Sequence, residues 1–236
     1  IQTVKKNGDF YIMKSGFAGI IGRPNVGKST LLNAILGEKI AITTDKPQTT
    51  RNSIRGIYTR MPKAEDEGVQ IVFIDTPGIH KPRNKLGAYM TEMAQNTLKE
   101  VDVVIFIVDD ELSAGPGDRY ILDMLKGTDT PKLLAINKID KMEPEKFRRI
   151  YDEYSALGIF DEIFGISALE DKNVDKLLSR LEEMMDDGPM YFPADMVTDH
   201  PERFIVSEII REKMLLYLED EIPHGVAVEI ESYEEG

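Results

Sequence analysis

The sequence predicts an α/β fold built on a mostly parallel six-stranded sheet, with one antiparallel strand and helices on both faces. Short apolar runs of strand character alternate with longer segments of helical periodicity from residue 17 to residue 186. Such alternation is typical of a parallel sheet whose crossover helices cover both faces. The exception is residues 53–60, which only the short polar linker MPKAEDEG separates from the next strand candidate. So short a connection favours an antiparallel pair.

Each element has its own sequence signal. Gly37 follows the first helical segment and is expected to cap its C-terminus. We expect strands at 17–22 (FAGIIG), 53–60 (SIRGIYTR), 69–75 (VQIVFID), 102–109 (DVVIFIVD), 132–137 (KLLAIN) and 163–167 (IFGIS). We expect helices at 28–36, 87–100, 117–126, 144–157 and 172–186.

Near the N-terminus, Met13 separates a short tail from the α/β domain that follows. Residues 1–12 show no clear periodicity, and Met13 could be the natural start of the protein. We therefore expect residues 1–13 to be an N-terminal tail and residues 14–186 to form the α/β domain.

The C-terminal part begins with a break in helical periodicity. The stretch GPMYFPAD, residues 188–195, places a glycine and two prolines close together, so residues 187–200 are expected to be a linker. Residues 201–236 begin a second unit, with a helix from Pro201 and an alternating strand at 226–230. One helix and one strand cannot bury a core alone, so this unit is expected to be incomplete.

Composition excludes several functional classes. The formal net charge of −13 argues against a protein that coats polyanions through its overall field. The chain has no cysteine and three histidines, which excludes a disulfide framework and favours oxygen ligands for any metal ion. We find no apolar stretch near the roughly 18 residues that a membrane span needs, and no secretory signal, so we expect a cytoplasmic protein.

The stretch GRPNVGKST, residues 22–30, predicts a phosphate-binding loop. It fits the pattern GxxxxGK[ST] and lies between a strand and a helix, as that loop requires. Backbone N–H groups, a lysine and a hydroxyl together suit a phosphate chain and its Mg²⁺. A plain Gly/Pro turn with a solvated lysine would not explain why Lys-Ser opens the helix. The candidate nucleotide-binding residues are Gly22, Arg23, Pro24, Asn25, Val26, Gly27, Lys28, Ser29 and Thr30.

The stretch DTPG, residues 75–78, follows the strand VQIVFI and would alone be read as a turn. After a phosphate-binding loop, Asp75 is placed to hold Mg²⁺ through water, and the Gly78 N–H to meet a γ-phosphate. We include Thr76 and Pro77 among the nucleotide-binding candidates.

Two further motifs point to guanine. NKID, residues 137–140, ends a strand at the edge of the sheet where ligands bind, and Asp140 could accept hydrogen bonds from N1–H and the 2-amino group of guanine. Adenine lacks both donors. Ser167, Ala168 and Leu169 end a later strand, and their backbone N–H groups could face the guanine O6. Asn137 and Lys138 complete the candidate set, although NKID alone would usually be an Asx turn.

The loop EKIAITTDKPQTTRNS, residues 38–53, is polar and rich in threonine. One threonine could close on Mg²⁺ and the γ-phosphate when GTP is bound. Thr50 is our first choice and Thr49 the second, and a solvated loop is nearly as good an interpretation for either. The candidate metal ligands are therefore Ser29, Thr50 and Asp75.

The five motifs, in this order over residues 22–169, resemble the P-loop GTPases of the translation-factor class. That resemblance implies the P-loop GTPase fold, with binding of GTP and GDP and Mg²⁺-dependent hydrolysis. Three longer stretches resemble the Era family of bacterial ribosome-assembly GTPases. These are KPQTTRNSIRGIYT (first switch), DTPGIHKPRNKLGAYM (second switch) and FPADMVTDHPERFIVSEIIREKMLLYLEDEIPHGVAVEIE (linker and opening of an α+β KH domain).

The resemblance to the Era family implies partners as well as a reaction. Members bind the 3′ end of 16S rRNA through the KH domain and help the small (30S) ribosomal subunit to mature. We expect a monomer, and a peripheral association with the inner face of the cell membrane is left open.

This chain departs from the family pattern in RNA binding. KH modules grip nucleic acid with a GxxG loop, which residues 201–236 lack. The same residues include 10 acidic and 3 basic side chains, a net charge of −7. We expect the RNA grip to be incomplete.

The second departure concerns catalysis. In Ras-like enzymes a glutamine after the DxxG glycine orients the attacking water, whereas Ile79 stands here. We expect slow intrinsic GTP hydrolysis, in which the protein positions the reacting groups and stabilises their charge. The expected catalytic residues are Lys28, Thr50, Gly78 and Asn25. In related GTPases an asparagine at the place of Asn25 coordinates K⁺, which would supply part of an arginine finger's charge. His80 is a weaker candidate for the group that positions the attacking water.

Three alternatives remain. A GTPase of tRNA modification or of large-subunit assembly would carry the same five motifs but other attached domains. A nucleotide-gated RNA adaptor would hydrolyse GTP only incidentally. A small-molecule kinase is disfavoured because NKID and the Ser-Ala-Leu motif would have no role in it.

Overall fold

The structure, a computed structural model, describes residues 3–6, 9–44, 53–63, 67–79, 85–110, 114–218 and 226–232. The strands are β1 Thr3–Lys6, β2 Asp9–Gly22, β3 Ile54–Arg60, β4 Gly68–Asp75, β5 Val103–Val108, β6 Lys132–Ile136 and β7 Glu162–Gly165. The helices are α1 Lys28–Leu36, α2 Lys85–Glu100, α3 Pro116–Leu125, α4 Pro144–Ser155, α5 Val174–Met184 and α6 Glu202–Tyr217. A 3₁₀ turn, Ile139–Lys141, follows β6.

The main sheet confirms the predicted architecture. Its order is β3-β4-β2-β5-β6-β7, and every neighbouring pair is parallel except β3 with β4. The carboxyl ends of β2, β4, β5 and β6 therefore meet at one edge, where parallel sheets of this kind bind their ligands. Gly37 caps α1 in the left-handed conformation, with φ of 67°.

Apolar side chains fill both faces of the sheet. Along β5, Ile105 and Ile107 point into a core with α1 and α5, whereas Val104 and Phe106 point into a core with α2, α3 and α4. Successive residues of a strand face opposite sides, so a strand covered on both faces is apolar throughout. All six residues of β5 are buried.

Strands β1 and β2 include residues of the predicted tail, and the boundary at residue 13 remains a prediction. Thr3–Lys6 pairs antiparallel with the start of β2, which begins at Asp9, and Met13 is buried and pairs with Gly68. Backbone hydrogen bonds define this hairpin, and its side-chain pattern carries little of the alternation by which strands are recognised.

The predicted linker lies against the main sheet. Gln70, fully buried on β4, donates through Nε2 to the Phe192 carbonyl at 2.9 Å and accepts the N–H groups of Tyr191 and Phe192 at 2.7 and 3.0 Å. Farther on, the Ile57 N–H donates to the Val197 carbonyl at 2.8 Å. This last bond lies on the outer side of β3, the edge strand.

Helix α6 starts after Pro201, as predicted, and reaches the loop that follows α1. Glu212 is buried and accepts a hydrogen bond from Lys39 Nζ at 2.6 Å and from the Thr43 N–H at 2.9 Å. Residues 226–230 are not a strand, because they have no neighbouring strand to pair with in the described part of the chain. Within the described ranges no helix is both long enough and apolar enough to pass through a membrane. The domain boundaries at 186 and 200 remain predictions.

Candidate nucleotide-binding site

A cavity of about 310 Å³ opens at the carboxyl edge of the sheet. It brings together residues from all five predicted motifs, which are far apart in the sequence. The predicted residues that line it are Pro24, Asn25, Gly27, Lys28, Ser29, Thr30, Gly78, Asn137, Lys138, Asp140 and Leu169.

The phosphate-binding loop is held by backbone conformations that favour glycine. Gly27 has φ of 101°, and a side chain there would also collide with the Asn137 amide. Asn25 adopts a left-handed conformation, with φ of 65°. Helix α1 begins at Lys28, so its first N–H groups face the cavity end of the helix, where anions are stabilised.

Lys28 carries a buried charge at this loop. Its Nζ donates to the Arg23 carbonyl at 2.9 Å and to the Gly22 carbonyl at 3.3 Å. Burial lowers its pKa from 10.5 to about 8, and the nearby Asp75 carboxylate opposes part of that change. A phosphate chain in the cavity would supply the negative charge that this ammonium lacks.

Ser29 and Asp75 form a pair that fits Mg²⁺. Ser29 Oγ donates to Asp75 Oδ2 at 2.6 Å, and among the described residues none donates to the other oxygen, Oδ1. Burial raises the pKa of Asp75 to about 6, against the effects of Lys28 and Ser29. Asp75 lies behind the cavity wall, as expected of a carboxylate that holds the ion through water. Hard oxygen ligands beside a phosphate site suit Mg²⁺.

The segment after β4 contacts the phosphate-binding loop directly. Gly78 lines the cavity, and a Cβ there would lie 2.6 Å from Pro24 Cα. The Ile79 N–H donates to the Gly22 carbonyl at 3.0 Å, and the Ile79 side chain is fully buried in the core on the α2 side. The residue at the place of the usual glutamine therefore packs into the core.

Asn137 joins three motifs. Its Nδ2 donates to the Val26 carbonyl at 2.8 Å, and its Oδ1 accepts the Ala168 N–H at 2.9 Å. The Ser167 N–H donates to the Lys172 carbonyl at 3.0 Å. Both N–H groups therefore have acceptors within the protein, and the expectation that they face guanine remains a prediction.

The remaining predicted residues support the site from behind. Arg23 forms ion pairs with Asp109 and Asp118. The Val26 side chain is buried in the core with α1, and Thr76 Oγ1 donates to the Ile20 carbonyl at 2.8 Å. Neither these residues nor Gly22, Asp75, Pro77, Ser167 and Ala168 line the cavity.

Some lining residues were not predicted, and three predicted residues cannot be placed. Thr50 and Thr49 lie outside the described residues, as does His80. Thr43 and Thr44, from the same threonine-rich loop, line the cavity. Leu216 of α6 reaches it from across the chain, and no local pattern signals that contact. The other unpredicted lining residues are Ile42 and Lys141.

Comparison with known proteins gives consistent matches. The family model described as "50S ribosome-binding GTPase" matches residues 17–138. The chain is 60% identical over 216 residues to "GTPase Era" of Alkaliphilus oremlandii (strain OhILAs), covering 92% of this chain and 71% of the relative. It is 54% identical over 221 residues to "GTPase Era" of Clostridioides difficile (strain 630), covering 93% and 72%.

Solved structures agree in fold. One is Era in complex with MgGDPNP and nucleotides 1506–1542 of 16S ribosomal RNA, with a TM-score of 0.82, 39% identity, and coverage of 90% of this chain and 70% of that chain. Another is a variant of Aquifex aeolicus Era bound to GDP·AlF4⁻, with a TM-score of 0.81, 38% identity, and coverage of 89% and 70%.

Proposed function

Because the chain belongs to the Era family of GTPases, we propose that it couples GTP binding and hydrolysis to recognition of 16S rRNA during maturation of the small ribosomal subunit. The observation that carries the nucleotide part is the cavity at the sheet edge, which gathers Lys28, Ser29, Gly78 and Asp140. The RNA part rests on the relatives, one of which was solved with 16S rRNA nucleotides.

In this proposal the phosphate-binding loop holds the triphosphate. Lys28 neutralises the β- and γ-phosphates, and the start of α1 offers its N–H groups to them. Ser29 and Asp75 hold Mg²⁺, the latter through water, with Thr50 as a further ligand in the GTP state. Mg²⁺, when bound, supplies positive charge against the charge that develops on the phosphates. The Gly78 N–H contacts the γ-phosphate.

Asp140 selects the base. Its carboxylate accepts from N1–H and the 2-amino group of guanine, and Lys138 and Leu169 line the same cavity. The test is the affinity for GTP, ATP and XTP in the parent and in Asp140→Asn. We expect the parent to prefer GTP and the variant to shift toward XTP, because the asparagine amide donates where the carboxylate accepted. A parent that prefers ATP, or a variant without the shift, contradicts the assignment.

In this proposal hydrolysis proceeds without the usual glutamine, because Ile79 occupies its place in the sequence. The Ile79 side chain is buried in the core and cannot orient a water molecule. We propose that Asn25, which lines the cavity in a left-handed conformation, helps to bind K⁺ beside the phosphates. The ion would supply positive charge where other GTPases use arginine. Hydrolysis should then be faster in KCl than in NaCl at equal ionic strength, and Asn25→Ala should remove the difference. Equal rates for the parent in the two salts rule this out.

The RNA role is tested by single-turnover hydrolysis with and without 30S subunits. Stimulation by 30S but not by 50S subunits supports a switch that acts on the small subunit. Unchanged hydrolysis together with GTP-dependent binding to 30S subunits would instead favour a nucleotide-gated adaptor. We further propose that the protein acts as a cytoplasmic monomer, which sedimentation equilibrium and cell fractionation would test.

A further inference from the structure

Four charged side chains form a network beside the cavity, and one of them, Lys138, lines it. Asp109 follows β5 and lies between two cations: its Oδ1 accepts from Arg23 Nη2 at 3.0 Å, and its Oδ2 accepts from Lys138 Nζ at 3.0 Å. Asp118 accepts from Arg23 Nε at 2.8 Å. The two acidic side chains are 12% and 1% exposed. The network is balanced, with two positive and two negative charges.

The order of the strands explains why Asp109 can bridge the two cations. Strand β5 lies between β2, which leads into the phosphate-binding loop, and β6, which leads into the NKID motif. A carboxylate just after the middle strand is therefore equally placed to reach a side chain from either neighbouring loop. Arg23 belongs to the first loop and Lys138 to the second.

Each cation is fixed by its contact with Asp109. Lys138 lines the cavity, but its ammonium is bound to Asp109, so the hydrocarbon stem is the part of the side chain that can wall the base site. Its backbone is in the left-handed conformation, with φ of 64°. Arg23 is anchored a second time by Asp118, in the first turn of α3.

We propose that Asp109 is a positioning residue that sets the distance between the phosphate-binding loop and the base-recognition loop. One nucleotide must satisfy both loops at once, so a change in their spacing weakens the binding of the whole ligand. This inference rests on the proposed assignment of the NKID motif to the base.

The bridge requires a carboxylate because each oxygen serves a different cation. In Asp109→Asn one oxygen is replaced by an amide NH₂, which donates and therefore cannot accept from Arg23 or Lys138. At least one of the two loops is then released. The residue next in sequence, Asp110, offers a matched control, since it pairs with Lys146 at 2.9 Å and does not line the cavity.

The experiment measures dissociation of fluorescent GDP and GTP from the full chain carrying Asp109→Asn or Asp110→Asn. We expect Asp109→Asn to accelerate dissociation about 10-fold, the size of one charge-assisted hydrogen bond, and Asp110→Asn to change it less than about 2-fold. Single-turnover hydrolysis at saturating GTP should fall by a smaller factor than dissociation rises, since Asp109 does not line the cavity and acts through Arg23 and Lys138. Dissociation is measured only on molecules that hold nucleotide, so an unfolded fraction does not affect it.

A double-mutant cycle with Lys138→Met tests whether Asp109 acts through the base loop. We expect the effect of Asp109→Asn to fall below about 3-fold in the Lys138→Met background, because one of its two partners is gone. Equal effects in both backgrounds, equal effects of Asp109→Asn and Asp110→Asn, or unchanged dissociation in Asp109→Asn would overturn the inference. If Asp140→Asn shifts the protein toward XTP while Asp109→Asn leaves dissociation unchanged, only this inference fails. If Asp140→Asn also fails, the base assignment fails.

Discussion

Replacing Asp75 by asparagine should stabilise the protein when it holds neither nucleotide nor metal, and should impair Mg²⁺-dependent GTP binding. Asp75 is fully buried; the Ser29 hydroxyl donates to its Oδ2, and within the described ranges no group donates to its Oδ1. An asparagine keeps an oxygen for Ser29 and removes the buried charge. The buried Asp75 carboxylate is therefore expected to be favourable only when a cation such as Mg²⁺ is bound near it.

The magnitude follows from the pKa of Asp75. Burial raises this pKa from 3.8 to about 6, so the folded state holds the proton more tightly than the unfolded chain does. The stability from this group is fully present below pH 3.8 and is lost as the pH rises through about 6. Two pKa units correspond to about 3 kcal/mol at pH 7, and about half of that remains at pH 5. Asp75→Asn should recover this free energy.

The assay is urea unfolding of both proteins at pH 7 and pH 5, in EDTA and without nucleotide. The exposed carboxylate of Asp123 provides the control, and Asp123→Asn should change the free energy of unfolding by less than about 0.5 kcal/mol. The reasoning is refuted if Asp75→Asn is less stable than the parent at pH 7, or if the difference between the two proteins is the same at both pH values.

The remaining predictions also concern the cavity. Burial lowers the pKa of Lys28 to about 8, so the contribution of this group to stability is lost as the pH falls through that value. At pH 7 the buried ammonium is charged and destabilises the nucleotide-free protein. Lys28→Met should therefore raise its urea midpoint at pH 7 and abolish GTP binding in calorimetry. Gly27→Ala combines a left-handed backbone with a collision against Asn137, and should lower the free energy of unfolding by about 1–3 kcal/mol, measured with urea. Gly78→Ala pushes on Pro24 and should weaken GTP more than GDP in competition binding, because only GTP has the γ-phosphate near this backbone; equal losses would contradict that role.

The motifs could be read from the sequence because each depends on local backbone geometry. A glycine with positive φ followed by Lys-Ser at a helix start requires no distant partner to be recognised, and the structure places Gly27, Lys28 and Ser29 at one wall of the cavity. The alternation of apolar strands and helices likewise predicted the six-stranded sheet. The first signal lies within about ten residues, and each strand or helix of the second is recognised from its own short stretch.

The contacts that tie the motifs together could not be predicted in this way. Arg23 was expected at the nucleotide, but its partners Asp109 and Asp118 lie 86 and 95 residues farther along the chain. Asn137 was expected at the base, and it also bonds to Val26, 111 residues away. A single sequence contains no record of such pairings, which depend on strand order.

The hydrogen bonds between the predicted linker and the sheet bear on where a stable folding unit ends. A chain cut at residue 186 would leave the Gln70 amide, buried inside the fold, without the Phe192 carbonyl and the Tyr191 N–H. It would also expose the Ile57 N–H on an edge strand, which can then pair with another molecule. We therefore expect the cooperative unit to extend at least to Val197. We expect proteolytic cleavage in this stretch to produce a self-associating species whose cavity is no longer covalently joined to Leu216 of α6.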